Sequence, residues 1–178
     1  LSGAKPGSSI LVPYCGIGTI LGEGLLLGCK MFGIDKDLQD VKASKKNLDW
    51  LRKRYNTQAP YKITQGKIND ISKITRKADH AVCEPYMGPL LRSSPTEGES
   101  KKYLKNLSPF YEILILELGK VVQKSAVITA PRFIAKSKKE FTLKLEPIFQ
   151  KAGFKKIESI AYRSSKSKMA RDIWILKK

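Results

Sequence analysis

The chain has 178 residues, 42% of them hydrophobic, which is enough for one sizeable core, and one domain is expected. Its 34 Lys and Arg against 16 Asp and Glu leave a net charge of +18, more than solubility requires, so a polyanion is the natural partner. No apolar run is long enough to span a bilayer and the three cysteines lack metal-ligand spacing, so the reading expects no metal, no membrane and no secretory leader, in a reducing, cytoplasmic setting.

Leu1 to Gly7 reads as a connector out of a longer parent chain. Ser9 to Val12 suits a strand, and Val12-Pro13-Tyr14-Cys15-Gly16-Ile17-Gly18-Thr19 a turn leading into a helix over Thr19 to Leu27, which Gly28 ends. Lys30 to Ile34 makes a second strand, followed by Asp35. Leu38 to Tyr55 makes a long helix with Val41, Leu48 and Leu51 on one side, closing on Arg52-Lys53-Arg54. Tyr61 to Gln65 and Ala81 to Cys83 suit further strands, the latter ending at Glu84-Pro85. A helix over Leu104 to Val122 precedes a strand over Ser125 to Thr129, stopped near Pro131. Lys138 to Ala152 reads as helical, interrupted by Pro147 and stopped by Gly153. Lys156 to Tyr162 and Asp172 to Leu176 are strand-like, joined by a basic loop near Ser164 to Lys168 too short for a crossover, so this pair runs antiparallel. Alternation of strands and helices elsewhere predicts an α/β fold, a mostly parallel sheet with helices on both faces.

Three local patterns carry chemistry. Glycines after a first buried strand bring backbone N–H groups close to a ligand, and an acid after the second strand suits ribose hydroxyls. Asp35 is therefore a ribose ligand or, alternatively, a helix cap or solvated turn residue, since Asp35-Lys36-Asp37 precedes a helix that Asp37 could cap. Glu84-Pro85-Tyr86 follows the fourth strand, either as a reactive loop or as a strand-ending turn with Tyr86 packed on the sheet. His80, the only histidine, reads as a packed or surface residue rather than a proton carrier, and Cys29 and Cys83 as small buried thiols near strand ends.

Taken together, these patterns resemble the class I S-adenosylmethionine-dependent methyltransferases, whose Rossmann-like sheet ends in an antiparallel hairpin. Val12-Pro13-Tyr14-Cys15-Gly16-Ile17-Gly18-Thr19-Ile20-Leu21 is similar to the Asp-Pro-Phe-Cys-Gly-Thr-Gly-Thr-Ile-Leu run of RNA guanosine-N2 methyltransferases, often joined to an N-terminal THUMP domain. Glu84-Pro85-Tyr86-Met87-Gly88-Pro89 looks like a variant of their Asp-Pro-Pro-Tyr-Gly motif, and Arg171-Asp172-Ile173-Trp174 resembles their closing strand. The nearest resemblance is to archaeal tRNA enzymes acting on guanosine 10. It implies S-adenosyl-L-methionine as cofactor and RNA, tRNA in particular, as partner, with an upstream THUMP-like region to select the target. Pro13, Cys15, Gly16, Gly18 and Asp35 would bind the cofactor, and Glu84, Pro85 and Tyr86 would be catalytic.

The chain departs from that family at named places. Val12 stands where the family has an acid, with Glu23 on the next helix either compensating or lying on the surface. Lys67 occupies the place of the adenine-recognising acid, and Asp70, one helical turn later, either serves instead or caps a short helix near Ile71. Glu84 replaces an Asp or Asn, and Met87 takes the aromatic position if the motif is aligned without a gap. These departures favour a second reading, a module that keeps the fold and basic surface without catalysis. A nicotinamide-dependent oxidoreductase is a third, and leaves Glu84-Pro85-Tyr86 unexplained. The phosphate-binding candidates are Lys101, Lys102 and Lys105, and Arg163, Lys166, Lys168 and Arg171, while Leu90 to Ser100 is expected to order around substrate.

Overall fold

Residues 1–75, 77–163 and 167–178 are described by a computed structural model. Five parallel strands form the first part of the sheet: β1 (Ser9–Pro13), β2 (Lys30–Asp35), β3 (Tyr61–Gln65), β4 (Ala78–Cys83) and β5 (Val122–Ile134). A short β6 (Glu140–Thr142) pairs antiparallel with the end of β5, and β7 (Lys156–Tyr162) and β8 (Met169–Lys177) close the sheet in the order β3-β2-β1-β4-β5-β8-β7. β1 lies centrally and its residues Ile10 to Pro13 are all buried, as a parallel strand covered on both faces requires. At the base of the sheet Asp79 ties three strands together. It pairs with Lys124 at 2.8 Å and accepts the Ser9 N–H at 2.9 Å and the Ser9 hydroxyl at 2.8 Å, and these contacts hold its carboxyl well below the usual carboxylate range.

Helices fill both faces. α1 (Thr19–Leu26) and α2 (Leu38–Tyr55) cover one, burying Leu21, Leu25, Val41 and Leu48 against Ile10, Val12 and Met31. α3 (Ile71–Ile74), α4 (Glu97–Val121) and α5 (Glu146–Lys151) cover the other, where Tyr111, Leu114, Leu118 and Phe149 meet Leu11, Ala81, Ile128 and Trp174. Asp37 caps α2 by accepting the Gln39 N–H at 2.7 Å.

Three expectations need correction. α4 starts at Glu97, seven residues before Leu104, because Thr96 and Glu99 form a reciprocal capping box: the Glu99 N–H reaches the Thr96 hydroxyl at 3.2 Å and the Thr96 N–H reaches the Glu99 carboxylate at 2.7 Å. The end of the expected Leu90 to Ser100 loop is thus helix. β5 runs through Pro131 to Ile134. The Thr129 carbonyl leaves the ladder to accept the Tyr111 hydroxyl at 3.1 Å, and Pro131, two residues on, faces the same gap between the end of β4 and the start of β6, where its missing N–H breaks no ladder bond. Lys138 to Ala152 is not one helix. Phe141, Leu143 and Leu145 alternate with period two, Glu140–Thr142 pairs with β5, and Pro147 sits in the first turn of α5, where its lack of an N–H is tolerated. Part of the basic loop near Ser164 to Lys168, with Lys166, lies outside the described residues.

Candidate functional site

The strands β1, β2, β3 and β4 point their C-terminal ends to one edge of the sheet, and the candidate residues lie along it. After Pro13 the chain turns sharply through Tyr14, Gly16 and Gly18, all at positive φ, the last at 94°. The turn is held by Cys15 N–H on the Ile34 carbonyl at 3.2 Å and by Gly18 N–H on the Cys15 carbonyl at 2.9 Å. A Cβ at Gly18 would drive into the Ser44 side chain of α2, so glycine is required there by both conformation and space.

Asp35, 8% exposed at the end of β2, fixes this turn from the next strand. One carboxylate oxygen accepts the Gly16 N–H at 2.9 Å and the other the Asp37 N–H at 3.1 Å. A carboxylate offers about four acceptor sites, so two remain for a ligand. Asp35 opens onto a cavity of about 280 Å³ lined by Pro13, Tyr14, Ile34, Lys36, Gly66, Lys67, Ile68, Asn69, Ile71 and Phe110. Its walls are mainly apolar with a few polar side chains, Asp35, Lys36, Lys67 and Asn69, among them, which suits a flat heterocycle joined to a hydroxylated ring. Burial, reinforced by the Asp35 charge, pushes the Cys15 thiol up to about 12, so it stays protonated and inert. Burial likewise raises the Tyr14 phenol, with smaller contributions from Cys83 and Asp35.

A second cavity, of about 380 Å³, opens beyond β4. Tyr86, Gly88, Pro89, Tyr103, Asn106, Leu107 and Phe110 line it, so Phe110 is a wall of both cavities. Pro85 is buried, whereas Tyr86, which lines the cavity, is 61% exposed. The Tyr111 hydroxyl, whose proton goes to the Thr129 carbonyl, lies 3.5 Å from the Tyr86 carbonyl. Gly88, at φ 106°, passes against the Phe133 ring, where a built Cβ would come within 3.0 Å. Glu84 lines neither cavity: its carboxylate accepts from Nε of Arg171 on β8 at 3.1 Å.

Pro13 and Asp35 therefore line the first cavity, and Cys15, Gly16 and Gly18 shape the turn beside it. Asp70 does not line it. That carboxylate lies 3.4 Å from Lys73 and makes no side-chain cap to α3, while Lys67 and Asn69 face the cavity instead. Glu23 is exposed on the outer side of α1, in a groove with Trp50, and does not stand in for a carboxylate at the buried Val12. His80 is buried. Since the Ser125 hydroxyl gives its proton to the Ser2 carbonyl at 2.6 Å, the His80 Nδ1–H donates to Ser125 at 2.7 Å. Larger hollows of about 450 Å³ lie at the β2–β3 edge and at the end of α2, and contain none of the candidate residues. Tyr103, Asn106 and Phe110 escaped the sequence reading. Their signal is the spacing Tyr103, Leu107, Phe110, which sets one face of α4 over the loop after β4.

Strand order, the antiparallel β8 and β7, and the turn after β1 together define the Rossmann-like class I methyltransferase fold. Solved structures agree. Magnesium protoporphyrin IX methyltransferase of Synechocystis, determined with bound SAM, matches 97% of this chain and 71% of its own with a TM-score of 0.63 at 14% identity. TrmN of Thermus thermophilus matches 99% of this chain and 46% of its own with a TM-score of 0.67 at 12% identity. A TehB-like SAM-dependent methyltransferase of Corynebacterium glutamicum matches 98% and 83%, with a TM-score of 0.61 at 16% identity. In sequence, the chain is 33% identical over 104 residues to the tRNA (guanine(10)-N2)-dimethyltransferase of Methanothermobacter thermautotrophicus. That match takes in 58% of this chain but spans only 28% of the relative. No family model matches the chain. Among the described residues, no helix is long and apolar enough to cross a membrane.

Proposed function

We propose that this chain is the catalytic domain of an S-adenosyl-L-methionine-dependent RNA methyltransferase of the cytoplasm, acting on the exocyclic N2 of guanosine in tRNA, within a longer protein that carries an upstream RNA-binding region. The observation that carries it is the pair of cavities sharing Phe110, one beside Asp35 and the glycine turn, the other beside Tyr86 and Tyr103. The 33% identity to a tRNA guanine-N2 dimethyltransferase and the charge of +18 support the substrate class.

The first cavity fits the adenosine half of the cofactor. Asp35 has acceptor sites left for the ribose hydroxyls, and Ile34, Ile68 and Phe110 offer apolar walls to the base. When bound, S-adenosylmethionine supplies an electrophilic methyl group on a sulfonium. The chain's residues act on the other reactant. Tyr86 and Tyr103 stack on a base swung out of its helix. The guanine N2 lone pair is delocalised into the ring, and acceptors from the Glu84 carboxylate and the Pro85 carbonyl hold its N–H groups so that the nitrogen pyramidalises. Orientation in line with the methyl group contributes much of the acceleration.

Calorimetry with S-adenosylmethionine, S-adenosylhomocysteine and NAD tests the reading, followed by methyl incorporation into tRNA. Binding of both sulfur nucleosides without NAD, and methylation lost in E84A, are expected. Failure of the folded protein to bind any of them refutes the cofactor assignment and favours a non-catalytic module, the reading to which Val12, Lys67 and the outward Glu84 point.

A further inference from the structure

The proposed reaction needs Glu84 at the target amine, yet its carboxylate is turned away. Arg171 stands on β8 in register with Pro131 of β5 and Tyr162 of β7, so the Glu84 side chain reaches across the end of β5 to meet it. The additional methylene of glutamate lengthens that reach. The neighbouring guanidinium, Arg132, is locked by two carboxylates, Asp172 at 2.7 Å and Glu140 at 2.5 Å. Among the described residues Arg171 pairs with one carboxylate, that of Glu84, and engages it through Nε alone. Its side chain is 34% exposed and that of Glu84 48%, and a pair this exposed shifts a population by about fivefold at most.

Resting on the RNA methyltransferase reading above, we infer that Arg171 holds Glu84 outside the reaction cavity until an RNA phosphate takes the guanidinium and frees the carboxylate. A phosphate satisfies an arginine fork with two parallel bonds, which the single Nε contact does not match. Delivery of the acceptor is thereby tied to docking of the RNA backbone at the β7–β8 hairpin. A short oligonucleotide that fills the base cavity without reaching Arg171 meets a carboxylate held away.

Two measurements test this. In ¹⁵N-labelled protein without cofactor, the Arg171 Nε–H resonance is expected to move on titration with tRNA, and in free E84Q to lie already off its wild-type position. In single-turnover assays, R171Q is expected to methylate a short guanosine oligonucleotide up to about fivefold faster than wild type. For tRNA its affinity falls, and the slope of log affinity against log salt flattens by about 0.9, one phosphate contact. R171K, which keeps the charge, should lie between the two. A resonance unmoved by tRNA, or oligonucleotide and tRNA rates that fall in parallel or do not change in R171Q, overturns the inference. If wild type methylates neither RNA, the methyltransferase reading fails, and the resonance still decides whether tRNA displaces Glu84.

Discussion

Asp35→Ala removes a carboxylate that works before any ligand arrives. The Gly16 and Asp37 N–H groups, at 2.9 and 3.1 Å from its oxygens, lose a charged acceptor in a setting where Asp35 is 8% exposed. Hydrogen bonds to a charged group contribute about 1.5–3 kcal/mol each, and relief of the buried carboxylate's desolvation offsets part of two such bonds. A net loss of about 2–4 kcal/mol is expected, or about 5–15 °C in Tm for a chain of this size. Asp35→Asn should recover only about half, since its amide nitrogen must face one of the two backbone donors. Urea unfolding followed by far-ultraviolet circular dichroism, without cofactor, measures both variants. Added S-adenosylmethionine should stabilise wild type and leave Asp35→Ala unmoved. A loss under about 0.5 kcal/mol, or Asp35→Asn equal to wild type, would refute the view that this carboxylate builds the turn.

Gly18→Ala should cost about 1–3 kcal/mol from backbone strain at φ 94° alone, with a further penalty from the Ser44 side chain. Ser44→Ala should recover only the steric part, and on its own be neutral or stabilising because the Ser44 hydroxyl is buried without a partner among the described residues. Full rescue in a thermal melt would show that conformation is irrelevant at Gly18. Burial lowers the pKa of His80, with Lys124 adding to the effect and Asp79 opposing it, so below about pH 6.5 the unfolded chain binds a proton that the fold resists. This contribution is complete above that pH and declines as pH falls towards the folded value, with a slope of at most about 1.4 kcal/mol per pH unit. Denaturation midpoints at pH 7.5, 6.5 and 5.5 should fall less steeply in His80→Gln; equal slopes would remove His80 from the account.

What was legible in the sequence was what neighbours along the chain decide. Leu38–Tyr55, Tyr61–Gln65 and Lys156–Tyr162 run as their periodicity and bounding residues dictate, and the turn around Gly16 lies close in sequence to the Asp35 that holds it. The misplaced ends of α4 and β5 depended on partners: the Thr96–Glu99 cap outweighs a polar first turn, and Pro131 is tolerated because one side of β5 is vacant there. Over Lys138–Ala152, Phe141, Leu143 and Leu145 fit a helical period less well than the period of two that the free edge of β5 selects. At the site, the contact between Glu84 and Arg171 joins residues 87 apart, and no local pattern encodes it.

Phe110 gives the two cavities a common partition. Its ring packs against that of Tyr14 in the glycine turn, with centroids 5.3 Å apart. With the two chambers filled as proposed, any influence of one occupant on the other is equal in both directions: the factor by which a nucleoside tightens a base is the factor by which the base tightens the nucleoside. The order of filling leaves that factor unchanged. A smaller residue at this one position would loosen the tie while leaving each chamber its own polar groups.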